Sequence, residues 1–314
     1  MENLIKGLHH VTATVDDAQR DLDFYLGALG LRLVKQTVNF DNKSVYHFYY
    51  GDERGAPGTI WTTFPYRGKG VPEGRKGAGQ IGVTSFSVPA GSFGFWKQRL
   101  ETLGVAVREE ASRFGEESLA FADPSGLVIE LVGTDRDRRA PWSGGGVGAE
   151  QAIRGLHGVT MVVASPGKTL ELMTGLLGFR QVDEGRARLR LAVNGDEPGK
   201  TIDVVTAADA SPAMNGLGTV HHVAMAVSSD DDQLRLRSEL VRIGIPVTEV
   251  LDRKYFRSIY FREPGGVLFE AATVQPGFTV DESLPCLGQE LQLPAEDESR
   301  RVEIAAGLPG VTRR

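Results

Sequence analysis

Residues Gly7–Val34 read GLHHVTATVDDAQRDLDFYLGALGLRLV. The stretch opens with a β-branched run, Val11-Thr12-Ala13-Thr14-Val15, whose period-2 alternation predicts a strand. A polar step follows, and then Leu22, Tyr25, Leu26 and Leu29 recur at helical spacing, which predicts one buried helix face. Gly30 stands where a left-handed residue would cap that helix.

The same grammar returns three times, from Ile81 (IGVTSFSVPAGSFGFWKQRLETLGVAV), Gly155 (GLHGVTMVVASPGKTLELMTGLLGFRQV) and Thr219 (TVHHVAMAVSSDDDQLRLRSELVRIGIPV). The starts lie roughly 65–75 residues apart, longer than ordinary solenoid periods. Phe93, Trp96, Leu100 and Leu103 form the predicted stripe of copy two, and Leu236, Leu240 and Ile243 that of copy four. Gly104, Gly178 and Gly244 repeat the capping glycine. Extended segments follow each cap. Copy two ends in Asp123-Pro124-Ser125-Gly126 and Leu127-Val128-Ile129-Glu130, and copy four in Pro264-Gly265-Gly266 and Val267-Leu268-Phe269-Glu270. The expected fold is α+β, built from four βαβββ modules. The Arg-, Gly- and Pro-rich stretch Arg136–Ala149 reads as a linker. The expected regions are therefore 1–140 with modules 1 and 2, 150–275 with modules 3 and 4, and a C-terminal tail, 276–314, with a short helix near Glu296–Ala306.

The bulk numbers narrow the function. The chain has 314 residues, 41% hydrophobic and 24% charged, with net charge −6. No charge block suggests a nucleic-acid surface. No apolar run approaches the roughly 20 residues that span a membrane. The single cysteine, Cys286, allows neither an internal disulfide nor a thiolate metal cage. A cytoplasmic location is expected, in which the Asn42-Lys43-Ser44 sequon has no meaning. Gly77–Gly82 matches a dinucleotide-binding glycine pattern but precedes a strand instead of joining a strand to a helix, so that reading is set aside. Cys286 has no neighbouring base to make it a nucleophile.

Four of the six histidines form two pairs, His9-His10 and His221-His222, at the same position of copies one and four. Strand neighbours point to opposite faces, so one ring of each pair is expected to face a concave sheet interior and the other its rim. Copies two and three offer Val83 and Gly158 there. Glu270 sits in the apolar run Val267–Ala272, where an unpaired carboxylate is costly and a metal is one compensation. Glu130 has the same local context without a histidine in its own copy, and reads as structural. Two imidazoles and one carboxylate form the facial triad of non-heme Fe(II) oxygenases; Mn(II) also suits the set, whereas zinc better suits hydrolysis or isomerisation. His47 and His157 read as ordinary strand residues. Arg253, Tyr255 and Tyr260 read as well as site residues as they do as plain surface or core polar groups.

These features resemble the glyoxalase/vicinal-oxygen-chelate superfamily, and within it the ring-cleaving hydroquinone dioxygenases. The most specific stretches are LHHVT at Leu8, FPYRGKG and GRKG between Phe64 and Gly77, EQAIRG at Glu150, TVHHVA at Thr219, YFRSIYFREPGGVLFEAAT at Tyr255, and PGFTVDESL in the tail. The resemblance implies a metal on the second histidine of each pair and on the glutamate of the GGVLFE strand: His10, His222 and Glu270. It places His9, His221, Arg253, Tyr260 and Thr12 around the site. The implied reaction is ring opening of a dihydroxybenzene by O2 at Fe(II). His9 or His221 would handle protons, and Arg253 and Tyr260 would stabilise developing negative charge. The chain departs from the family at Lys254, where a glycine is expected before Tyr255-Phe256.

A glyoxalase-like lyase or isomerase is one alternative, but such sites often supply two glutamates, and the copy-one counterpart of Glu270 falls near Thr62. A non-enzymatic binding protein of the same fold is another, but it needs no His/His/Glu set. The implied partners are an aromatic small molecule and O2, with neither nucleic acid nor membrane; a homo-oligomer is compatible with the sequence. The triad also predicts which modules pair. Modules 1 and 2 together offer one paired histidine, and modules 3 and 4 offer one with Gly158 and Asp203. Only modules 1 and 4 together offer His10, His222 and Glu270, so module 1 is expected to share a sheet system with module 4.

Overall fold

The computed structural model describes residues 4–313. Module 1 contributes β1 (Ile5–Val15), α1 (Ala18–Leu22), β2 (Arg32–Asn39), β3 (Asn42–Gly51) and β4 (Ile60–Pro65); α1 runs on as a wider π turn through Ala28. Module 2 contributes β5 (Gln80–Val88), α2 (Phe93–Thr102), β6 (Arg108–Arg113), β7 (Glu116–Ala122) and β8 (Val128–Gly133). Module 3 contributes β9 (Gly155–Val163), α3 (Gly167–Gly175), β10 (Arg180–Gly185), β11 (Arg188–Ala192) and β12 (Thr201–Thr206). Module 4 contributes β13 (Thr219–Val227), α4 (Asp230–Arg242), β14 (Leu251–Asp252), β15 (Arg257–Arg262) and β16 (Leu268–Thr273). The tail forms short 3-10 turns and α5 (Arg301–Gly307), which with the 3-10 turn Ala295–Arg300 covers the helix expected near Glu296–Ala306.

The strands form two eight-stranded sheets. One runs β14-β15-β16-β13-β1-β4-β3-β2 and the other β10-β11-β12-β9-β5-β8-β7-β6. Module 1 therefore shares a sheet with module 4, and module 2 with module 3, as the ligand count required. In each sheet the two central strands are antiparallel, β1 with β13 and β5 with β9, and each is flanked by the parallel last strand of its own module. The sheets are thus pseudo-symmetric about their centres.

The helix stripes pack as expected in their middles. Leu22, Tyr25, Leu29, Trp96, Leu100, Leu236 and Leu240 are buried. Leu103 and Ile243, the last members of two stripes, are 54% and 44% exposed. Both are the C-cap residues of their helices, in the turn that runs past the packed face. The four capping glycines all adopt positive φ, between 68° and 79°. The glycines of the Gly77–Gly82 stretch serve the crossing between sheets: a Cβ on Gly77 would lie 2.0 Å from the Ser211 carbonyl oxygen. Arg139 in the linker donates to the Gly58 and Leu156 carbonyls at 2.6 and 2.7 Å, tying the two sheets together. No helix among the described residues is long and apolar enough to cross a membrane.

A candidate metal centre

His10 and His222 stand on the two central strands of the first sheet, and Glu270 on β16 beside β13. All three side chains are buried. His10 Nε2 lies 3.2 Å from His222 Nε2 and 3.3 Å from Glu270 Oε2, and His222 Nε2 lies 2.8 Å from the same oxygen. Octahedral coordination with bonds near 2.1 Å places adjacent donors about 3.0 Å apart, so the three atoms fit one face of an octahedron.

The histidine pairs are built by the same local device. Between Leu8 and His10, β1 advances two residues against one on β13; between His222 and Val220, β13 advances two against one on β1. His9 and His221 are the extra residues of these two bulges. Strict alternation would turn one ring of each pair away; the bulges instead bring both rings together. His9 Nδ1 lies 2.9 Å from His10 Nδ1, and His221 Nδ1 lies 2.8 Å from His222 Nδ1.

A cation on the inner Nε2 atoms would fix the protonation of that contact. Burial, and then the neighbouring His10, push His9 down to about 3. Burial and His222 do the same to His221, also to about 3. Both are neutral rings whose Nδ1 accepts while Nε2 keeps the proton. With a cation bound, the inner rings would donate from Nδ1 and turn their Nε2 lone pairs toward it. Burial also lowers His222, although Glu270 opposes it. Burial alone would raise Glu270, but His10 and His222 hold its carboxyl well below the usual range. One carboxylate oxygen accepts from the Ser258 hydroxyl; the other, Oε2, is buried with no hydrogen-bond donor. Two imidazole lone pairs and an orphaned carboxylate oxygen facing one point are what a divalent cation needs.

A cavity of about 380 Å³ opens beside these donors, toward the small end of ordinary ligand pockets, which span roughly 300–1,000 Å³. Tyr49, Phe64, Phe256, Leu251 and Leu268 supply apolar walls, and Thr12, His221, Arg253 and Tyr260 also line it. His9 lies behind His10, with its ring against Phe256. Arg253 Nε donates to Tyr260 Oη at 3.3 Å, and its Nη2 to Asp41 at 3.4 Å across the mouth. Burial pulls Arg253 down, but Tyr260 and Asp41 more than compensate, so it stays charged. Burial and Glu270 raise Tyr260, which stays a neutral phenol. Lys254 takes the backbone conformation that suits glycine, φ 67°. It is held there by Nζ contacts to Asp281 at 2.7 Å and the Leu293 carbonyl at 2.8 Å.

His47, read from sequence as an ordinary strand residue, also lines the cavity. Its ring packs against Tyr49 and Phe64, with centroids 4.0 and 4.2 Å away. Burial, followed by His10 and His222, holds it well below its usual value, so it too is neutral. The available signal was its place two residues before Tyr49, the counterpart of Tyr260 in the other half of the sheet.

Among the described residues the second sheet carries no such set. Glu130 accepts from Ser85 at 2.8 Å and from Arg113 at 2.9 Å. Asp203 accepts from Arg190 at 2.7 Å and Arg188 at 3.0 Å. Guanidinium groups neutralise the carboxylates there, in the place where the first sheet leaves Glu270 to its histidines.

Two half-symmetric curled sheets of paired βαβββ modules, one with a His/His/Glu cluster that could hold a metal ion and one filled by ion pairs, define the class of protein. The chain belongs to the glyoxalase/bleomycin resistance protein/dioxygenase superfamily, whose model matches residues 7–131 and 155–271, and within it groups with the ring-cleaving dioxygenases. It is 43% identical over 302 residues to MhqO of Bacillus subtilis (strain 168), named a ring-cleaving dioxygenase, covering 96% of this chain and 95% of that protein. It is 37% identical over 308 residues to a chlorohydroquinone/hydroquinone 1,2-dioxygenase of Sphingobium indicum, covering 96% and 95%. A crystal structure of a Bacillus subtilis protein described as a dioxygenase superposes with TM-score 0.94 at 42% identity, covering 99% of this chain and 98% of that one. Glyoxalase I of Zea mays shares the fold at TM-score 0.63 and 12% identity, covering 85% and 92%.

Proposed function

We propose that this enzyme opens the ring of a dihydroxybenzene with O2, using a non-heme Fe(II) held by His10, His222 and Glu270. The observation that carries the reading is the orphaned Glu270 Oε2, facing two imidazole nitrogens at 2.8 and 3.3 Å in a buried, aromatic-walled cavity. Held by His10, His222 and Glu270, Fe(II) would supply the redox chemistry that joins O2 to the ring. Mn(II) fits the same donors.

The chain's own groups take simple parts. The apolar walls bind the ring and exclude water, which strengthens every charge interaction inside. Arg253 and the neutral Tyr260 direct donors to negative charge on the substrate oxygens. With metal bound, His9 and His221 would fix the inner rings by accepting their Nδ1 protons. Thr62, fully buried, stands at the counterpart of Glu270, so the second glutamate that an isomerase of this fold would use is missing.

Anaerobic loading with Fe(II) or Mn(II), followed by oxygen uptake with hydroquinone and with catechol, tests the reading. One O2 should disappear per ring opened, and Arg253→Ala should lower turnover at unchanged metal content. A fully loaded enzyme that consumes no O2 with either compound would overturn it.

A further inference from the structure

The first sheet repeats one arrangement on its two sides. Tyr49 pairs with Thr62 on one side as Tyr260 pairs with Glu270 on the other. Two residues before each tyrosine stand His47 and Ser258. Ser258 donates to Glu270, and His47 Nε2 lies 2.9 Å from Thr62 Oγ1. A His–Thr pair thus faces the metal centre from the side opposite the Ser–Glu pair.

The chain of contacts continues. Thr62 Oγ1 donates to Thr12 Oγ1 at 2.8 Å, and both residues are fully buried. Thr12 lines the cavity, two residues beyond His10 on the same strand and in register with His222. His47, Thr62 and Thr12 therefore form a line that ends beside the candidate metal centre. A hydroxyl has a single hydrogen, so a line of hydroxyls has one direction, set by the group at its end. With Thr62 donating to Thr12, Thr62 has a lone pair free for an N–H from His47. Thr12 then keeps its own hydrogen for a group in the cavity.

We propose that His47 is a positioning residue for ring cleavage: as the Nε2–H tautomer it polarises the His47–Thr62–Thr12 line, so that Thr12 presents a hydroxyl donor to an oxygen of the bound aromatic. The proposal rests on the dioxygenase reading of this cavity. A donor aimed where negative charge develops acts on the reacting state more than on the bound ground state, so its loss falls on kcat.

The test uses the metal-loaded enzyme and the variants His47→Leu, His47→Gln, Thr62→Val and the double variant His47→Leu/Thr62→Val. With hydroquinone or catechol as substrate, His47→Leu and Thr62→Val should each lower kcat by about tenfold to hundredfold. KM and metal content should stay within about twofold. The double variant should match Thr62→Val, because both changes cut one line. His47→Gln, which retains an N–H at a similar reach, should recover much of the loss. In metal-free protein labelled with 15N-histidine, NMR should show His47 as the Nε2–H tautomer, with a shift that moves in Thr62→Val. Multiplying effects in the double variant, or an Nδ1–H tautomer, would overturn the proposal. The NMR measurement needs no turnover, so an enzyme that consumes no O2 would refute the substrate reading while the polarity of the line is still decided.

Discussion

His10 Nε2 and His222 Nε2 lie 3.2 Å apart, although 212 residues separate them in the chain. The sheet achieves this by placing β1 against β13 and giving each a bulge that starts at the first histidine of its pair. Each inner ring is thereby backed by its sequence neighbour, and the geometry of one ligand repeats in the other. The arrangement makes separate, measurable claims about ligands, about their backing rings and about the opposite sheet.

His10→Ala, His222→Ala and Glu270→Ala should each remove most of the bound metal and the activity while the far-ultraviolet circular dichroism stays native. Metal analysis after dialysis reads the loss. Full metal content in all three variants would remove the centre from these residues.

Replacing the backing rings should weaken metal binding without abolishing it. His9→Phe and His221→Phe preserve bulk but remove the acceptor, and should lower metal affinity by about 10- to 100-fold. Excess Fe(II) should restore a large share of turnover. Variants that bind metal like the parent would show that the Nδ1 contacts do not orient the ligands.

Glu130→Ala should leave metal content unchanged and lower stability by about 2–4 kcal/mol, because the mostly buried Arg113 loses its nearer partner and keeps only Asp203 at 3.9 Å. Urea titration measures it. A loss of metal in this variant would mean that the second sheet contributes to the centre.

Asp21 predicts a pH dependence remote from the metal. It accepts from Tyr50 and Thr63 at 2.6 Å each, and burial is the main cause that raises it from 3.8 to about 8. Between those values the folded protein holds a proton that the unfolded chain has lost, so raising the pH favours unfolding. Its stabilising contribution is complete below about pH 4 and is lost as pH climbs toward 8. The stability of wild type relative to Asp21→Asn should therefore fall by up to about 1.4 kcal/mol per pH unit between pH 5 and 7. A difference that stays flat across urea titrations at these pH values would show that Asp21 is ionised in the fold.

Lys35 is fully buried and holds Asp281 at 2.6 Å together with Glu282. Lys35→Met leaves the buried Glu282 without its ammonium partner, while Asp281 keeps Lys254, and should cost about 3–5 kcal/mol. Phe278 of the same tail packs on Tyr49 and Tyr255, at 5.1 and 4.9 Å between centroids, so the loosened tail should also expose new cleavage sites after residue 275 to limited proteolysis. Unchanged proteolysis would show that apolar contacts alone hold the tail.

The architecture was legible because its signals are local and repeated. Strand alternation, the helix stripes and Gly30, Gly104, Gly178 and Gly244 each mark an element within a few residues. The uneven supply of histidines among the copies then sufficed to pair module 1 with module 4. What stayed hidden depends on pairing between strands. The bulges at His9 and His221 alter which way a side chain turns without altering the residue types that a strand uses. His47 acquires its neighbours through β3–β4 register, and looks ordinary within its own strand. Lys35 sits in RLVKQTVN as a surface lysine would, but Tyr255 of module 4 and Asp281 and Glu282 of the returning tail meet its ammonium. Leu103 and Ile243 fit their stripes in sequence but lie one turn beyond the surface that those stripes cover.

The pairing of the first module with the last also orders events during synthesis. A ribosome adds roughly 5–20 residues per second, so about 13 to 50 seconds pass between the appearance of His10 and that of Glu270. Throughout that interval the nascent chain has an imidazole but no partner carboxylate, and β1 has an edge waiting for β13. On the proposed ligand set, metal capture waits for module 4, and a message broken anywhere before it yields a product that lacks both His222 and Glu270.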